Sequence, residues 1–106
     1  MHAAHRMRQY QQQAIASSSP EQLVLKLYDL GIQCCLQGNR SKLRAVLAEL
    51  VGSLNFEGGG EIAERLYSLY DYCITESVDG DLEIVRDVLS GLREAWKEGV
   101  VSRKAA

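Results

Sequence analysis

The side chains that could carry chemistry in this 106-residue chain are few, and their placement does not favour catalysis. Both histidines, His2 and His5, lie in a polar N-terminal stretch with no cluster of carboxylates nearby. A metal site needs several ligands at suitable spacing, and a phosphotransfer bundle needs a histidine on a helix face. No serine or cysteine has a histidine in a plausible helical partner position. We therefore predict a protein that is not an enzyme and holds no metal or other cofactor.

The three cysteines, Cys34, Cys35 and Cys73, form no known metal or redox motif. Their number is odd, two of them are adjacent, and there is no C-x-x-C pair. This pattern is typical of reduced thiols buried in a cytosolic protein. We expect the cysteines to be core residues.

A run of three glycines, Gly58 to Gly60, is the remaining candidate for chemistry, because glycine loops can cradle phosphates. No lysine follows the run and no strand pattern precedes it. Glycine also tolerates the left-handed backbone that ends helices. We therefore predict a turn that closes one helix before the next begins near Glu61.

The elements around these residues are predicted to be helices, and the first has a strong start signal. Ser19 is an N-cap candidate, Pro20 suits the first helical position, and Gln22 completes a capping box. The spacing of apolar residues predicts a helix from there to about Gln37.

Apolar spacing predicts three further helices, at about 42–54, 61–77 and 82–98. Short breaks between helices of similar length predict an all-α, antiparallel up-down four-helix bundle. Residues 19–98 would form this bundle. Residues 1–18 would be a flexible N-terminal arm that could form a short capping helix, and residues 99–106 a frayed tail.

The predicted helices carry more apolar surface than one buried stripe requires. The inward stripe of the third helix is predicted to contain Ile62, Leu66, Leu69, Tyr70, Cys73 and Ile74. Tyr67 and Tyr72 lie off that stripe. The fourth helix has a second stripe, formed by Ile84, Val88, Gly91 and Ala95. Two interpretations stay open, a well-filled core with some surface aromatics, or a module whose grooves accept another helix.

Charge and hydropathy exclude several classes of partner. The net charge is −2, so nucleic acid is not an obvious partner. No apolar run approaches the roughly 20 residues that span a bilayer, and none follows Arg6 and Arg8 to make a secretory signal. We expect a bacterial cytosolic protein without stable membrane insertion.

Several motifs in order resemble the flagellar secretion chaperone FliS family. They are Ser19-Pro20-Glu21-Gln22-Leu23, Leu27-Tyr28-Asp29, Leu54-Asn55-Phe56-Glu57-Gly58-Gly59-Gly60-Glu61-Ile62-Ala63, Leu66-Tyr67-Ser68-Leu69-Tyr70-Asp71-Tyr72 and Leu92-Arg93-Glu94-Ala95-Trp96. The likeness spans residues 10–98, and its block from Leu54 to Tyr72 is long enough to be specific.

The resemblance implies a cytoplasmic helical bundle that binds the C-terminal helical segment of flagellin and prevents premature polymerisation. It also implies presentation of flagellin to the cytoplasmic domain of the flagellar type III export gate. An N-terminal arm that covers part of the groove is implied as well. The residues predicted to contact the partner are Met7, Tyr10, Leu27, Tyr28, Leu47, Val51, Tyr67, Tyr70 and Ile74.

The chain departs from the family pattern between Asp29 and the glycine run, where it is shorter by more than a helical turn. The end of the first helix and the start of the second are expected to be trimmed, which would shorten the groove. A self-associating helical adaptor that forms a weak homodimer, or a phosphotransfer-type bundle, remains as an alternative function.

Overall fold

A computed structural model describes residues 19–101 of the chain. These residues form four α-helices, and we number them α1 (Pro20–Gln37), α2 (Arg40–Gly52), α3 (Phe56–Asp79) and α4 (Leu82–Trp96). A π-helical turn, Lys97–Val101, follows α4, and no strand occurs within 19–101. The all-α prediction with four helices is confirmed. The predicted arm, 1–18, and the end of the tail lie outside the described residues, so the mobility of the arm stays a prediction.

The first two helices begin and end at the residues that local chemistry favours. Ser19 Oγ accepts a hydrogen bond from Gln22 N at 3.2 Å, as the capping box predicts. Gly38 ends α1 with a left-handed φ of 69° and donates its N–H to the Cys35 carbonyl at 3.2 Å. Asn39 then caps α2 by accepting from Lys42 N at 3.2 Å. This cap starts α2 at Arg40, two residues before the predicted start.

Each helix packs on its neighbours in the chain, and α1 also packs extensively on α4. Trp96 Nε1, at the end of α4, donates to the Glu21 carbonyl at the start of α1 at 2.8 Å. Arg40 and Arg44, at the start of α2, donate to carbonyls at the end of α3; one of these bonds joins Arg40 Nη2 to Gly80 O at 2.9 Å. These end-to-end contacts fit the predicted up-down order.

The core lies between the helices and is filled mainly by leucine, valine and tyrosine side chains. Its buried members are Leu27, Tyr28, Cys34, Cys35, Leu43, Val46, Leu47, Leu50, Tyr70, Cys73, Val85 and Leu89. Gly31 is buried among them, and a Cβ there would lie 2.7 Å from Leu89 Cδ1. The missing side chain of Gly31 therefore lets α1 and α4 approach each other closely.

The glycine run corrects the predicted boundary between the second and third helices. The second helix already ends at Gly52, and the glycines lie within the first turns of α3, which begins at Phe56 rather than near Glu61. Asn55 caps this start by accepting from Gly58 N at 2.9 Å. Among the three glycines only Gly60 has a positive φ, 53° with ψ −129°, and α3 bends there. The Asn55 cap forms one helical turn from Phe56, and the break that the glycine composition predicted lies at Gly60.

Two residues that were predicted to face inward on α3 are instead on the surface. Ile62 is 70% exposed and Leu69 is 39% exposed. The buried stripe runs through Ala63, Tyr70, Cys73 and Ser77, with Leu66 and Ile74 half-buried beside it. The prediction was wrong for Ile62 and Leu69 because small residues, Ala63 and Ser77, occupy inward positions that apolar size alone did not reveal.

Candidate functional site

Apolar side chains remain exposed on α3 in two stripes on either side of its buried stripe. The first, which we call the Leu69 stripe, consists of Ile62, Leu69 and Tyr72. The second, the Tyr67 stripe, consists of Tyr67 and Val78. Residues seven or eleven positions apart share a helix face, which groups Ile62 with Leu69 and Tyr67 with Val78. Both stripes give α3 apolar surface that is exposed among residues 19–101.

A third apolar face, the α4 stripe, consists of Ile84, Val88, Gly91 and Ala95. Val88 is half-buried and the other three are exposed. Arg93 Nε donates to Asp29 Oδ1 of α1, so the side of α4 that carries Arg93 faces α1. The α4 stripe lies on a different side of the helix from Arg93. Among helices adjacent in the chain, α3 and α4 pack least extensively.

The Tyr67 stripe contacts the first residue of α3 through an aromatic pair. The Phe56 ring, just after the connection from α2, lies with its centroid 6.1 Å from that of Tyr67, edge-on at an interplanar angle of 64°. Such edge-to-face pairs are a favoured aromatic geometry. The Leu69 stripe lies on the other side of the buried stripe of α3. The two stripes of α3 therefore face different directions.

The residues predicted from the sequence to contact a partner are distributed between the core and the surface. Four of them are buried, namely Leu27, Tyr28, Leu47 and Tyr70. Val51 and Ile74 are half-buried against the core, and Tyr67 is 45% exposed. Met7 and Tyr10 lie outside the described residues. Of the seven predicted residues that the structure describes, Tyr67 is exposed and Val51 and Ile74 are partly accessible. A partner role for any of the nine stays a prediction.

Two of these predicted residues meet in the centre of the bundle. The hydroxyl oxygens of Tyr28 and Tyr70 are 2.6 Å apart, and their ring centroids are 6.5 Å apart. Burial raises the pKa of Tyr70 well above its usual range, and the hydrogen bond with Tyr28 raises it further. Burial also raises the pKa of Tyr28, although the hydrogen bond with Tyr70 opposes that rise. Both hydroxyls therefore stay protonated, and the pair links α1 to α3 across the core.

The cysteines are free and buried, as the sequence predicted. Burial raises the pKa of the Cys73 thiol to about 11, and the nearby Cys35 raises it as well. The pKa of Cys35 is raised to about 11 mainly by burial and then by Cys34. Since the thiolate is the reactive form, these side chains are poor nucleophiles at neutral pH.

Other kinds of site are not found in the part of the chain that the structure describes. No group of three or more histidine, cysteine, aspartate or glutamate side chains within residues 19–101 could hold a metal ion. None of the helices in this part combines the length and the apolar content needed to cross a membrane.

Surface residues that the sequence reasoning did not single out include Leu36, Phe56, Val78 and the two misassigned residues of the Leu69 stripe. The seven-residue spacing of Ile62 and Leu69 was a signal that they share a face distinct from that of Tyr70. No comparable signal marked Phe56 and Val78, because the sequence shows only that they are apolar.

Comparison with known proteins identifies the family of this bundle. Residues 37–104 match the family model described as flagellar protein FliS, which covers more than half of the chain. The chain belongs to the FliS family. This family is one of chaperones rather than enzymes, in agreement with the prediction that the protein is not an enzyme.

Two relatives of this FliS-family chain carry the name flagellar secretion chaperone FliS. The protein from Salmonella typhimurium is 33% identical over 116 aligned positions, which cover 88% of this chain and 84% of the relative. The protein from Campylobacter jejuni is 27% identical over 110 positions, which cover 84% of this chain and 86% of the relative. No solved structure matches the chain significantly.

The alignments also show that parts of this FliS-family chain are shorter than the corresponding parts of its relatives. Both extend over more positions than the 106 residues of the chain, so each relative has residues that this chain lacks. The helices α1 and α2, with 18 and 13 residues, are joined by only Gly38 and Asn39. Family membership makes the protein a flagellar export chaperone that acts on a flagellar substrate.

Proposed function

We propose that this chaperone binds the C-terminal helical segment of flagellin, prevents its premature polymerisation in the cytoplasm, and presents it to the cytoplasmic domain of the flagellar type III export gate. Membership of the FliS family carries this proposal, because the two relatives are named flagellar secretion chaperones. The exposed apolar faces of α3 and α4 are consistent with it, since they offer a surface for an amphipathic partner.

The groove between α3 and α4 is the best candidate for the flagellin segment. In this proposal the Leu69 stripe would border it on one side and the α4 stripe on the other, and both stripes are largely exposed. Gly91 and Ala95 add little bulk to the α4 stripe, and a Cβ at Gly91 would meet no atom within 4 Å. A partner helix could therefore approach the backbone of α4 closely while its large side chains pack on Leu69 and Tyr72.

The apolar area of this groove suits a segment that folds when it binds. Ordering a disordered segment typically costs about 2–5 kcal/mol of the gross interaction energy. Burying one large apolar side chain contributes about 1.5–3 kcal/mol. Burial of Ile62, Leu69 and Ile84, together with the partner's own anchors, would offset the ordering cost. The same burial would hide the helical face through which flagellin subunits associate.

The face of α3 that carries Tyr67 provides a second contact region in this proposal. Tyr67 is accessible, and Val51 of α2 and Ile74 of α3 are half-buried. Met7 and Tyr10 of the N-terminal arm would add contacts, or cover the groove before the client arrives. The four buried residues of the predicted set would support this surface from beneath and would contact the client only if the helices separate. They are Leu27, Tyr28, Leu47 and Tyr70.

The proposal is tested by titrating the full chain with a peptide of the flagellin C-terminal segment. Circular dichroism should show more helix in the mixture than in the sum of the two components, and calorimetry should give the affinity. Absence of both signals would reject flagellin binding. Release to the export gate is tested separately, by adding the purified cytoplasmic domain of the gate to the complex.

Three variants locate the binding surface. Leu69→Asp should weaken binding about tenfold or more, because a carboxylate replaces an apolar contact worth roughly 1.5–3 kcal/mol. Tyr67→Asp reports on the Tyr67 stripe in the same way. Leu36→Asp is the control, since Leu36 is 61% exposed on α1 and lies in neither stripe of α3. If Leu36→Asp weakened binding as much as Leu69→Asp, the groove between α3 and α4 would not be the site.

A further inference from the structure

The first turn of α3 is a small unit that holds itself together. Gly58 N donates to the Asn55 side chain at 2.9 Å, and Gly59 N donates to the Asn55 carbonyl at 2.6 Å. Both bonds lie within the segment Asn55–Gly60. The turn therefore keeps its shape through its own hydrogen bonds, whatever its position relative to the rest of α3.

Gly60 joins this turn to the main body of α3 through a backbone conformation that residues with a side chain rarely adopt. Its φ of 53° with ψ −129° lies outside the helical region and is accessible mainly to glycine. A Cβ at Gly60 would meet no atom within 4 Å, so its surroundings do not restrain it. The backbone angles of Gly60 can therefore change, and this residue lies at the point where α3 bends.

Phe56 provides the side-chain contact that holds the turn in place. Its ring packs edge-on against Tyr67, one helix bend away, with a centroid distance of 6.1 Å. Both rings remain substantially exposed. An aromatic pair of this kind changes an equilibrium by about twofold to tenfold. A contact of that size holds the turn closed without locking it.

We propose that Asn55–Gly60 is a hinged flap that pivots at Gly60 and is latched by Phe56 on Tyr67. In the closed position the flap covers one edge of the Tyr67 ring, and in the open position it exposes that edge. An apolar or aromatic side chain of a partner could then replace Phe56. The movement of the flap is a property of the chain alone and does not depend on the identity of the client.

The flap can be observed without any partner, because Phe56 is the only phenylalanine in the chain. Labelling with 4-fluorophenylalanine gives one fluorine signal, and its shift difference between H2O and D2O reports the exposure of the ring. Tyr67→Leu removes the latch and should raise the open population about twofold to tenfold, with a matching rise in the solvent isotope shift. The control is Tyr72→Leu, because Tyr72 lies on the same helix and is 44% exposed against 45% for Tyr67.

A second pair of variants tests the pivot. Gly60→Ala cannot easily adopt a φ of 53°, so the fluorine signal should move to an exposed value while the bundle stays folded. Gly52→Ala is its control, since Gly52 has ordinary φ and open space around it. Emission of Trp96, the only tryptophan, monitors folding of the bundle. The proposal would be overturned if neither Tyr67→Leu nor Gly60→Ala changed the isotope shift. It would also be overturned if Tyr72→Leu changed the shift as much as Tyr67→Leu.

Discussion

The hydroxyl pair of Tyr28 and Tyr70 is the most specific contact of the core at the level of single residues. An apolar residue could fill the space of each ring. Among residues 19–101, however, the two buried hydroxyls find their hydrogen-bond partner only in each other. The hydrogen bond therefore adds little net free energy, while the loss of one partner leaves the other unsatisfied. This asymmetry makes the pair a fixed point for the alignment of α1 with α3.

Tyr28→Phe or Tyr70→Phe alone is expected to lower the free energy of unfolding by about 1–3 kcal/mol, because one buried hydroxyl loses its partner. The double variant removes both hydroxyls, so its loss should be smaller than the sum of the two single losses. Urea unfolding of all three variants measures this difference. Tyr72→Phe, at an exposed position, should change stability by no more than about 0.5 kcal/mol. Additive single losses would contradict the role of the pair.

The buried thiols predict how stability depends on pH. A cysteine in the unfolded chain titrates near its ordinary pKa of 9.0, whereas the folded pKa of Cys73 is about 11. Between these values the folded state binds more protons than the unfolded state, so the stability that this thiol contributes is complete below pH 9 and is lost as the pH rises toward 11. Each such thiol contributes at most about 1.4 kcal/mol per pH unit. Urea unfolding from pH 7 to 10.5 should show this decline, and Cys73→Val should make it shallower.

At the level of elements, the approach of α1 to α4 depends on a glycine. Gly31 faces Leu89 of α4 where an added Cβ would be 2.7 Å from its Cδ1 atom, and Val46 of α2 lies 3.6 Å away. Gly91, also in a helix, has open space instead. The two glycines share the same helical backbone and differ in what surrounds them.

This contrast gives a matched prediction. Gly31→Ala and Gly91→Ala gain the same helix propensity, so their difference isolates the steric cost at Gly31. Overpacking typically costs about 1–3 kcal/mol. Gly31→Ala should therefore be less stable than Gly91→Ala by that amount, and Gly91→Ala should be more stable than the natural chain. Thermal and urea unfolding compare the two. Equal stabilities would show that Leu89 moves aside freely.

The elements also show what the sequence can and cannot predict. Ser19 and Gln22 marked the start of α1 correctly, because a capping box depends only on neighbouring residues. The glycine run predicted a break, which lies at Gly60, but it did not reveal the helical turn from Phe56 that the Asn55 cap forms before that break. Periodicity found the helices, but the choice of inward stripe on α3 required knowledge of how closely its neighbours pack. For that reason Leu69 was predicted in the core and lies on the surface.

At the level of the whole molecule, charge is divided between the two halves of the chain. Residues 1–53 carry six Lys/Arg and three Asp/Glu, and residues 54–106 carry six Lys/Arg and eleven Asp/Glu. On α3, Glu64 and Asp71 are exposed beside the Tyr67 stripe. Two copies that met through these faces would bring like charges together. The charge distribution therefore favours a client segment over a second copy of the chain.

We expect the isolated chain to keep a mass of 11.8 kDa in light scattering as its concentration rises at low ionic strength. Added salt screens the repulsion between acidic faces, so any dimer should increase with salt. Leu69→Asp should suppress such a dimer further, while Leu36→Asp should not. A dimer that is stable at low salt, and whose mass does not change when flagellin is added, would instead support the self-associating adaptor.

The extensive packing of α1 on α4 has a consequence for how the protein is made. These two helices are the first and the last along the described chain, and the Trp96 indole reaches back to the Glu21 carbonyl. During synthesis α1 emerges from the ribosome long before α4 exists. The apolar face of α1 then lacks the helix that packs on it most extensively. Because α1 and α4 are far apart in the chain, their contact forms only after α4 has been made. Translation must therefore proceed beyond Trp96 before the bundle can assume its final form.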